Sequence, residues 1–258
     1  MSNRLGELLE ENEFLYGVIC RDVTLTDIEL MAQEGYHVVW IDLEHSPQST
    51  EEAIQLGRSV SHLGMVPLVR LRELTRTNVQ PLVDGGVQVI ALPDVRSADQ
   101  AAQLVELSKY PPLGQRGFSS TNAGIGFKLD GDPNEILRQV NEATHLMVLF
   151  ESDQGYEQLD DILGVEGIDM VGVGSMDWSI SLGLFGEQAK ENLTPKIERV
   201  LTSAARADKI PVMGAGSPAQ AKYYLGLGVR VFFVGVDVTM RRKILAESMQ
   251  GFQSALGR

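Results

Sequence analysis

Short apolar runs recur along the chain, and segments of mixed polarity separate them. Most runs are rich in Val, Ile, Leu and Phe and show little alternation between polar and apolar positions. This pattern is typical of parallel strands that are buried on both faces. The runs predict eight strands, at residues 15–20, 37–42, 65–70, 87–92, 146–151, 169–173, 210–214 and 231–235.

The segments between the runs carry helix signals. Thr24 and Asp27 have the spacing of a capping box at the start of a helix over residues 25–34. Ser97 and Ser217 are N-cap candidates for two further helices, because a serine hydroxyl accepts a hydrogen bond from a free backbone N–H of the first turn. The chain therefore alternates strand and helix.

Eight strand–helix units favour closure into a (β/α)8 TIM barrel over an open doubly wound sheet. No linker-like stretch interrupts them, so we predict one domain over residues 1–258. The connection over residues 93–144 is unusually long and reads as helix, loop and helix. Its loop, residues 111–127, is rich in Gly and Ser and is predicted to be a lid or binding loop, with a surface excursion as the alternative.

Composition and charge narrow the function. The 258 residues carry a net charge of −13, which argues against nucleic acid as a partner because binding begins with neutralisation of phosphates. An anionic substrate would need a local arginine or metal ion. No stretch approaches the roughly 20 apolar residues of a membrane span. Cys20 is the only cysteine, so we expect no internal disulfide and a cytoplasmic location.

Two carboxylates end consecutive predicted strands at the face where such barrels carry their active sites. Glu151 ends the fifth strand and Asp177 follows the sixth. Neighbouring strands lie about 4.8 Å apart, so one cation can bridge the two side chains. Hard oxygen ligands suit Mg²⁺ or Mn²⁺, with substrate oxygens and water completing the coordination. The alternative is that both acids cap the helices that follow.

Arg70 ends the third strand and is predicted to point into the barrel mouth. It could hold a carboxylate in a bidentate manner or stabilise an enolate oxygen. The alternative is a structural ion pair with Asp42 or Asp94. Of the four histidines, only His45 falls at a catalytic strand end, beside Asp42 and Glu44. Its ordinary pKa suits a general base, and surface pairing with these acids is the alternative.

A glycine-rich turn over residues 172–175 could offer backbone N–H groups to a substrate carboxylate at a helix start. As a phosphate motif it is weak, since it lacks the lysine and the glycine spacing of the known phosphate loops.

These residues resemble a known family. Residues 41–47, Ile-Asp-Leu-Glu-His-Ser-Pro, are similar to the I-D-x-E-H-x-P signature of the HpcH/HpaI aldolases, which are class II pyruvate-dependent aldolases. The resemblance covers nearly the whole chain in order. It includes Val-Pro-Leu-Val-Arg at 66–70, Leu-Val-Asp-Gly-Gly-Val-Gln at 82–88, Tyr-Pro-Pro-Leu-Gly-Gln-Arg-Gly at 110–117, and residues 167–183 and 235–237.

The resemblance implies a barrel of the phosphoenolpyruvate/pyruvate type. It also implies a divalent metal that binds the keto and carboxylate oxygens of pyruvate. This metal would be Mg²⁺ or Mn²⁺, with Co²⁺ as a further option. Glu151 and Asp177 match the metal ligands of the family. His45 matches the base that removes the 4-hydroxyl proton, and Arg70 matches the residue that stabilises the pyruvate enolate. Asp84 matches an acid that makes the histidine more basic.

Asp84 precedes the fourth strand and so lies at the wrong end of its own barrel. It could reach an active site only across a subunit interface. The resemblance and this geometry together predict a homo-oligomer, a hexamer or trimer of dimers, in which C-terminal helices pack against a neighbouring subunit.

The departures from the family fall in the substrate shell. Leu149 stands where the family has a substrate-contacting Gln. Gly174, Ser175, Met176 and Asp177 stand where it usually reads Gly-Pro-Ala-Asp, so a bulkier side chain occupies the substrate-contacting Ala position. The metal and acid–base residues, Asp42 among them, are kept.

The leading hypothesis is a metal-dependent aldolase that cleaves a 4-hydroxy-2-oxo acid to pyruvate and an aldehyde, and catalyses the reverse addition. One alternative is a related lyase acting on 2-oxo acids or on citramalyl or malyl thioesters. Another is a degenerate barrel without catalytic activity.

Overall fold

Eight parallel strands close into a barrel in the computed structural model, which describes residues 2–127 and 131–257. Each strand pairs with the next, and the last pairs with the first. The predicted (β/α)8 barrel is confirmed, with strand ends within two residues of those predicted. The strands are β1 Leu15–Cys20, β2 Val38–Asp42, β3 Val66–Arg70, β4 Val89–Leu92, β5 His145–Phe150, β6 Met170–Val173, β7 Ile210–Gly214 and β8 Val231–Val236.

Helices follow the strands, and their caps are largely those that the sequence predicts. Thr24 and Asp27 form a reciprocal capping box, and Ser97 and Ser217 cap the starts of their helices. The helices are α1 Arg4–Glu11, α2 Leu25–Gln33, α3 Thr50–His62, α4 Arg76–Asp84, α5 Ala98–Ser108, α6 Pro133–Ala143, α7 Asp153–Glu157, α8 Leu159–Leu163, α9 Ser175–Ser181, α10 Gly186–Arg206, α11 Pro218–Leu225 and α12 Asp237–Ala255, with a 3₁₀ turn at Ala123–Ile125.

The strands alternate between two apolar layers. Val39 and Ile41 of β2 pack outward against the helices, whereas Val38 and Trp40 fill the barrel interior. This period of two is general for strands. It directs the next residue of the inward series, Asp42, into the barrel at its C-terminal end. The buried layers thus decide which strand-end side chains share the mouth.

Helix α1 closes the opposite end of the barrel. Its Leu5 and Leu8 are buried with the interior apolar side chains. Below them, Nε2 of His145 lies 2.7 Å from Oδ1 of Asn3, which caps α1. The sequence places His145 at the end of a predicted helix, where a histidine would be solvated. This expectation is wrong, because His145 is the first residue of β5 and is buried beneath α1.

The loop over residues 111–127 lies against α4. The carbonyl of Gly117 accepts a hydrogen bond from Gln80, and Asn122 donates one to Asp84 at the far end of that helix. The loop therefore does not cover the mouth of its own barrel, and the lid interpretation is wrong for this subunit. Residues 128–130 of the long connection, and both ends of the predicted domain, lie outside the described residues.

Helix α12 leaves the barrel. From Arg242 to Gly257 every residue is exposed, including the large apolar side chains of Ile244, Leu245, Met249 and Phe252. Within the described part of the chain, no helix combines the length and apolar character that crossing a bilayer requires.

Candidate active site

A cavity of about 210 Å³ opens at the C-terminal end of the barrel. Charged side chains line one side of it and apolar side chains line the floor. The charged members are Arg21, Arg70, Glu151 and Asp177, and the floor includes Trp40, Met147, Leu149, Val212 and Phe233. Three of the predicted site residues, Arg70, Glu151 and Asp177, therefore line one cavity, together with Arg21, which the sequence interpretation did not consider. His45 and Asp42 are not among the residues that line it.

Arg70 and Asp42 form a buried bidentate ion pair. They are register partners on β3 and β2 and are 5% and 0% exposed. Nε of Arg70 donates to Oδ1 of Asp42 at 3.0 Å and Nη2 donates to Oδ2 at 2.6 Å. Burial acts to raise the pKa of Asp42, but the hydrogen bonds and charge of Arg70 hold it below its usual value. The structural pairing considered from the sequence is thus present.

The pairing with Asp42 uses Nε and Nη2 of Arg70 and leaves its Nη1 directed away from Asp42. Nη1 lies 3.0 Å from Oε2 of Glu44 and 3.8 Å from Oε1 of Glu151. That edge lies at the cavity, where it can donate to a ligand oxygen. Asp42 therefore orients Arg70, and Nη1 is the part of the guanidinium that is available for chemistry.

Glu151 lies in the cavity wall, where nearby positive groups only partly balance its negative charge. It is 6% exposed, and its Oε2 accepts a hydrogen bond from the backbone N–H of Asp94 at 3.0 Å. Burial, opposed by Arg70 and reinforced by the carboxylates of Asp177 and Glu44, raises the pKa of Glu151 to about 8. A bound cation would offset this crowding of negative charge.

Gly174 makes room for the Glu151 side chain. A Cβ at this position would lie 2.1 Å from Oε1 of Glu151, well inside contact distance. The turn that follows β6 therefore packs its bare backbone against the carboxylate. The requirement for glycine here comes from this close approach and not from an unusual backbone angle.

The capping alternative for the two carboxylates is not observed. Ser152, and not Glu151, caps α7, and α9 begins without a side-chain cap although Asp177 lies in its first turn. Neither Glu151 nor Asp177 therefore caps a helix, and both line the same cavity. Their oxygen donors are of the kind that Mg²⁺ and Mn²⁺ prefer.

Two carboxylates do not complete a metal site. Among residues 2–127 and 131–257, no group of three or more His, Cys, Asp or Glu side chains is placed to hold a metal ion. The residues fit a divalent cation that takes two protein ligands and fills its remaining positions with substrate oxygens and water. The pKa of Glu151 is raised, and the buried Oε2 of Glu44 accepts no hydrogen bond from the described residues. Both observations indicate that the negative charge of this cavity is not fully balanced by the protein.

His45 lies at the rim of the mouth, in the turn after β2. Its backbone N–H donates to Oδ1 of Asp42 at 3.3 Å, and Nε2 lies 3.8 Å from Oε2 of Glu44. The hydroxyl of Ser46 donates to the carbonyl of Asp42 and fixes the same turn. The His45 side chain is 43% exposed, so its imidazole is accessible to a substrate hydroxyl.

The altered substrate-shell positions form an apolar wall. Leu149 on β5 is the register partner of Gly172 on β6, and a Cβ at Gly172 would lie 2.7 Å from Cδ2 of Leu149. The leucine and the glycine are therefore compatible as a pair. Met176 is exposed at the rim and, with Ser175, borders a second and larger groove of about 680 Å³ between α9, α10 and α11.

Asp84 lies apart from the other predicted site residues. It ends α4 at the N-terminal side of the barrel, as expected, and accepts hydrogen bonds from Gln80 and Arg116 at 2.8 Å and from Asn122 at 3.1 Å. It does not reach the mouth of its own barrel.

Arg21 is the site residue that the sequence interpretation missed. It directly follows β1, and its backbone N–H donates to Oδ1 of Asp237, which follows β8. Nε lies 3.5 Å from Oδ2 of Asp42. The sequence carries a signal for it, because Arg21 continues the inward series of Leu15, Gly17 and Ile19 by one further step of two residues.

Comparison with known proteins identifies the family of the chain. A family model described as HpcH/HpaI aldolase/citrate lyase matches residues 24–242. A 2-keto-3-deoxy-L-rhamnonate aldolase from Salmonella gallinarum is 32% identical, over 98% of this chain and 94% of its own length. The solved HpcH/HpaI aldolase of Desulfitobacterium hafniense DCB-2 is 26% identical with a TM-score of 0.90, covering 96% of each chain.

A solved HpcH/HpaI aldolase/citrate lyase family protein from Burkholderia cenocepacia J2315 is also 26% identical, with a TM-score of 0.87 over 98% of this chain and 100% of its own. The match to the family model spans most of the sequence. The chain therefore belongs to the HpcH/HpaI aldolase/citrate lyase family, a family of carbon–carbon lyases.

Proposed function

We propose that this protein is a divalent-metal-dependent aldolase that cleaves a 4-hydroxy-2-oxo acid to pyruvate and an aldehyde, and that catalyses the reverse addition. The observation that carries the proposal is the convergence of Glu151 and Asp177 on one cavity beside Arg70. The related protein named 2-keto-3-deoxy-L-rhamnonate aldolase supports the reaction class.

Glu151 and Asp177 are the residues that would hold the metal, with Mg²⁺ or Mn²⁺ as the favoured ions and Co²⁺ as a further option. A bound cation of this kind supplies Lewis-acid polarisation of a keto oxygen. The backbone of Gly174 and Ser175, at the start of α9, is placed to receive the carboxylate of the 2-oxo acid. Leu149 and Met176 limit the shape of the substrate beside it.

The side chains around the metal position divide the chemistry. His45 takes the proton of the 4-hydroxyl as the C3–C4 bond breaks and the aldehyde leaves. Nη1 of Arg70 stabilises the negative charge that develops on the enolate oxygen, and Asp42 keeps the guanidinium oriented. Glu44, 3.8 Å from His45, stabilises the imidazolium that forms. Protonation at C3 then yields pyruvate.

We also propose that the protein is a homo-oligomer, with a hexamer as the leading expectation. The exposed apolar side chains of α12 support a subunit contact, because a surface of this kind is seldom left open to water. In such an assembly Asp84 could approach a neighbouring subunit's site. A cytoplasmic location and a single domain stay predictions.

A direct test is the metal-dependent release of pyruvate from a synthetic 4-hydroxy-2-oxo acid. We expect activity with Mg²⁺ or Mn²⁺, loss of activity with a chelator, and loss of cleavage in His45→Ala. His62→Ala is the matched control, because His62 is exposed at the end of α3. If metal-loaded protein neither cleaves these acids nor exchanges the methyl protons of pyruvate, the proposal is wrong. Faster cleavage of malyl or citramalyl thioesters would favour the alternative lyase.

A further inference from the structure

A cavity with a basic lining lies at the end of the barrel opposite the mouth. Its volume is about 400 Å³, and it opens between α1, the end of α3 and the turn that follows α4. Arg4, Arg58 and His62 line it, and none of the described residues in its lining is acidic. The chain as a whole carries a net charge of −13, so this cavity is opposite in sign to the protein around it.

The guanidinium of Arg58 forms no ion pair with a carboxylate of residues 2–127 or 131–257. Arg58 is exposed on α3, and its Cζ lies 5.7 Å from the ring centroid of Phe127, which also lines the cavity. Such a contact restrains a guanidinium without using its N–H donors. The second guanidinium is partly used, because Nε of Arg4 donates to the carbonyl of Gly64 at 2.9 Å and Nη1 lies 3.2 Å from Oε2 of Glu7.

Two buried polar atoms in the lining have no hydrogen-bond partner within the part of the chain that the structure describes. They are Oγ of Ser61 and Oε1 of Gln88, whose side chain is only 4% exposed. Buried polar atoms in native proteins are nearly always paired, with protein, water or a ligand. A ligand hydroxyl can donate to Oε1 of Gln88, and the hydroxyl of Ser61 can donate to an anion.

Basic side chains near a helix end have a simpler explanation, which is attraction to the negative end of the helix dipole. His62 fits this explanation, because it lies in the last turn of α3, and we assign it no role in binding. Arg4 does not fit, because it begins α1, and the dipole does not account for the unpaired amide oxygen of Gln88. The lining as a whole therefore indicates a ligand.

We propose that this cavity binds a small hydroxylated organic anion, whose phosphate or carboxylate group pairs with Arg58 and Arg4 and whose hydroxyl donates to Gln88. Guanidinium groups suit such oxyanions because they combine charge with directed N–H donors. A single water takes about 30 Å³ in the liquid, so the cavity has room for more than an inorganic ion. The site is separate from the barrel mouth and does not depend on the proposed aldolase function.

The test is calorimetric titration of the whole protein, in a buffer without phosphate, with glycerol 3-phosphate, D-glycerate and glycerol. We expect saturable binding of at least one of the two anions and none of glycerol, because glycerol lacks the charged group. Tighter binding of glycerol 3-phosphate would identify phosphate as the preferred group, and tighter binding of D-glycerate would identify a carboxylate. Either order supports the proposal.

Arg58→Gln should weaken binding by about tenfold or more, the effect of losing one charge-assisted contact. Two controls each remove one positive charge elsewhere and should bind the anion like the wild type: Arg199→Gln on the surface of α10, and Arg21→Gln at the mouth. Absence of saturable binding, or equal affinity in the wild type and Arg58→Gln, would overturn the proposal. A loss in Arg21→Gln as large as that in Arg58→Gln would also overturn it, because the anion would then bind at the mouth.

Discussion

Each charged side chain at the barrel mouth is positioned by a specific neighbouring residue. Asp42 orients Arg70, the N–H of Asp94 holds Glu151, and Gly174 leaves space for the Glu151 carboxylate. Burial and the nearby carboxylates of Asp177 and Glu44 disfavour the ionised form of Glu151, and its pKa is raised to about 8.

A first prediction concerns the candidate metal ligand. Glu151→Gln keeps the volume but removes the negative charge, so we expect Mn²⁺ to bind at least about 100-fold more weakly, a loss comparable with that of other charged partners in buried sites. Calorimetric titration of metal-free protein with Mn²⁺ measures the effect. Glu157→Gln, at an exposed position on α7, is the matched control. Unchanged Mn²⁺ affinity in Glu151→Gln would remove Glu151 from the metal site.

A second prediction concerns the Arg70–Asp42 pair. Asp42→Ala leaves a buried guanidinium without its partner, so we expect the free energy of unfolding to fall by about 3–5 kcal/mol. Replacing both residues, as Asp42→Leu with Arg70→Met, should recover most of that stability while leaving the protein inactive. Urea unfolding and pyruvate release measure the two effects. A double variant as unstable as Asp42→Ala would show that the buried charge of Arg70 is not the cause.

Among the elements, α1 and β5 meet at a buried histidine. His145 contacts the cap residue Asn3 and lies 3.9 Å from Asp169, which is also 3.7 Å from the buried Lys109. Burial is the main cause that lowers the pKa of His145; Asp169 opposes it and Lys109 adds to it. The attachment of α1 to the barrel therefore depends on a neutral imidazole.

This arrangement predicts a pH dependence. The folded pKa of His145 lies below its ordinary value of 6.5, so the unfolded chain binds the proton first as the pH falls. The stability contribution is complete above pH 6.5 and is lost from there down to the folded pKa. We expect His145→Gln to lose less stability than the wild type between pH 7.5 and 5.5 in urea unfolding. The exposed His62→Gln should follow the wild type, and identical slopes in all three proteins would contradict the prediction.

Helix α12 extends away from the barrel, and the rest of the described chain does not cover its apolar side chains. Leu245→Glu combined with Phe252→Glu places charges on its exposed apolar surface, so we expect the proposed homo-oligomer to dissociate to smaller species in sedimentation velocity. Lys243→Gln, which removes a positive charge from the same helix, should keep the assembly of the wild type. If the double variant sediments like the wild type, the proposal that α12 forms a subunit contact is wrong.

From the amino-acid sequence alone, the barrel and most residues of the candidate site could be predicted. Apolar runs and the caps at Thr24 and Ser97 are local signals, and each acts within a few residues of its position in the chain. Eight repeats of those signals leave few closed arrangements, so strand ends were predicted within two residues. Because such barrels carry their sites at strand ends, Glu151, Arg70 and His45 could be selected without coordinates.

Only the tertiary structure decided how these side chains share charge and space. That Arg70 pairs with Asp42, that Arg21 lines the same cavity as Arg70, and that His145 is buried under α1 all depend on contacts between distant segments. Local periodicity carries no information about such contacts, because they arise when the sheet closes and brings β1 beside β2 and β8. The sequence could name the residues at the mouth, but closure of the barrel determines which of them remain free to bind a ligand.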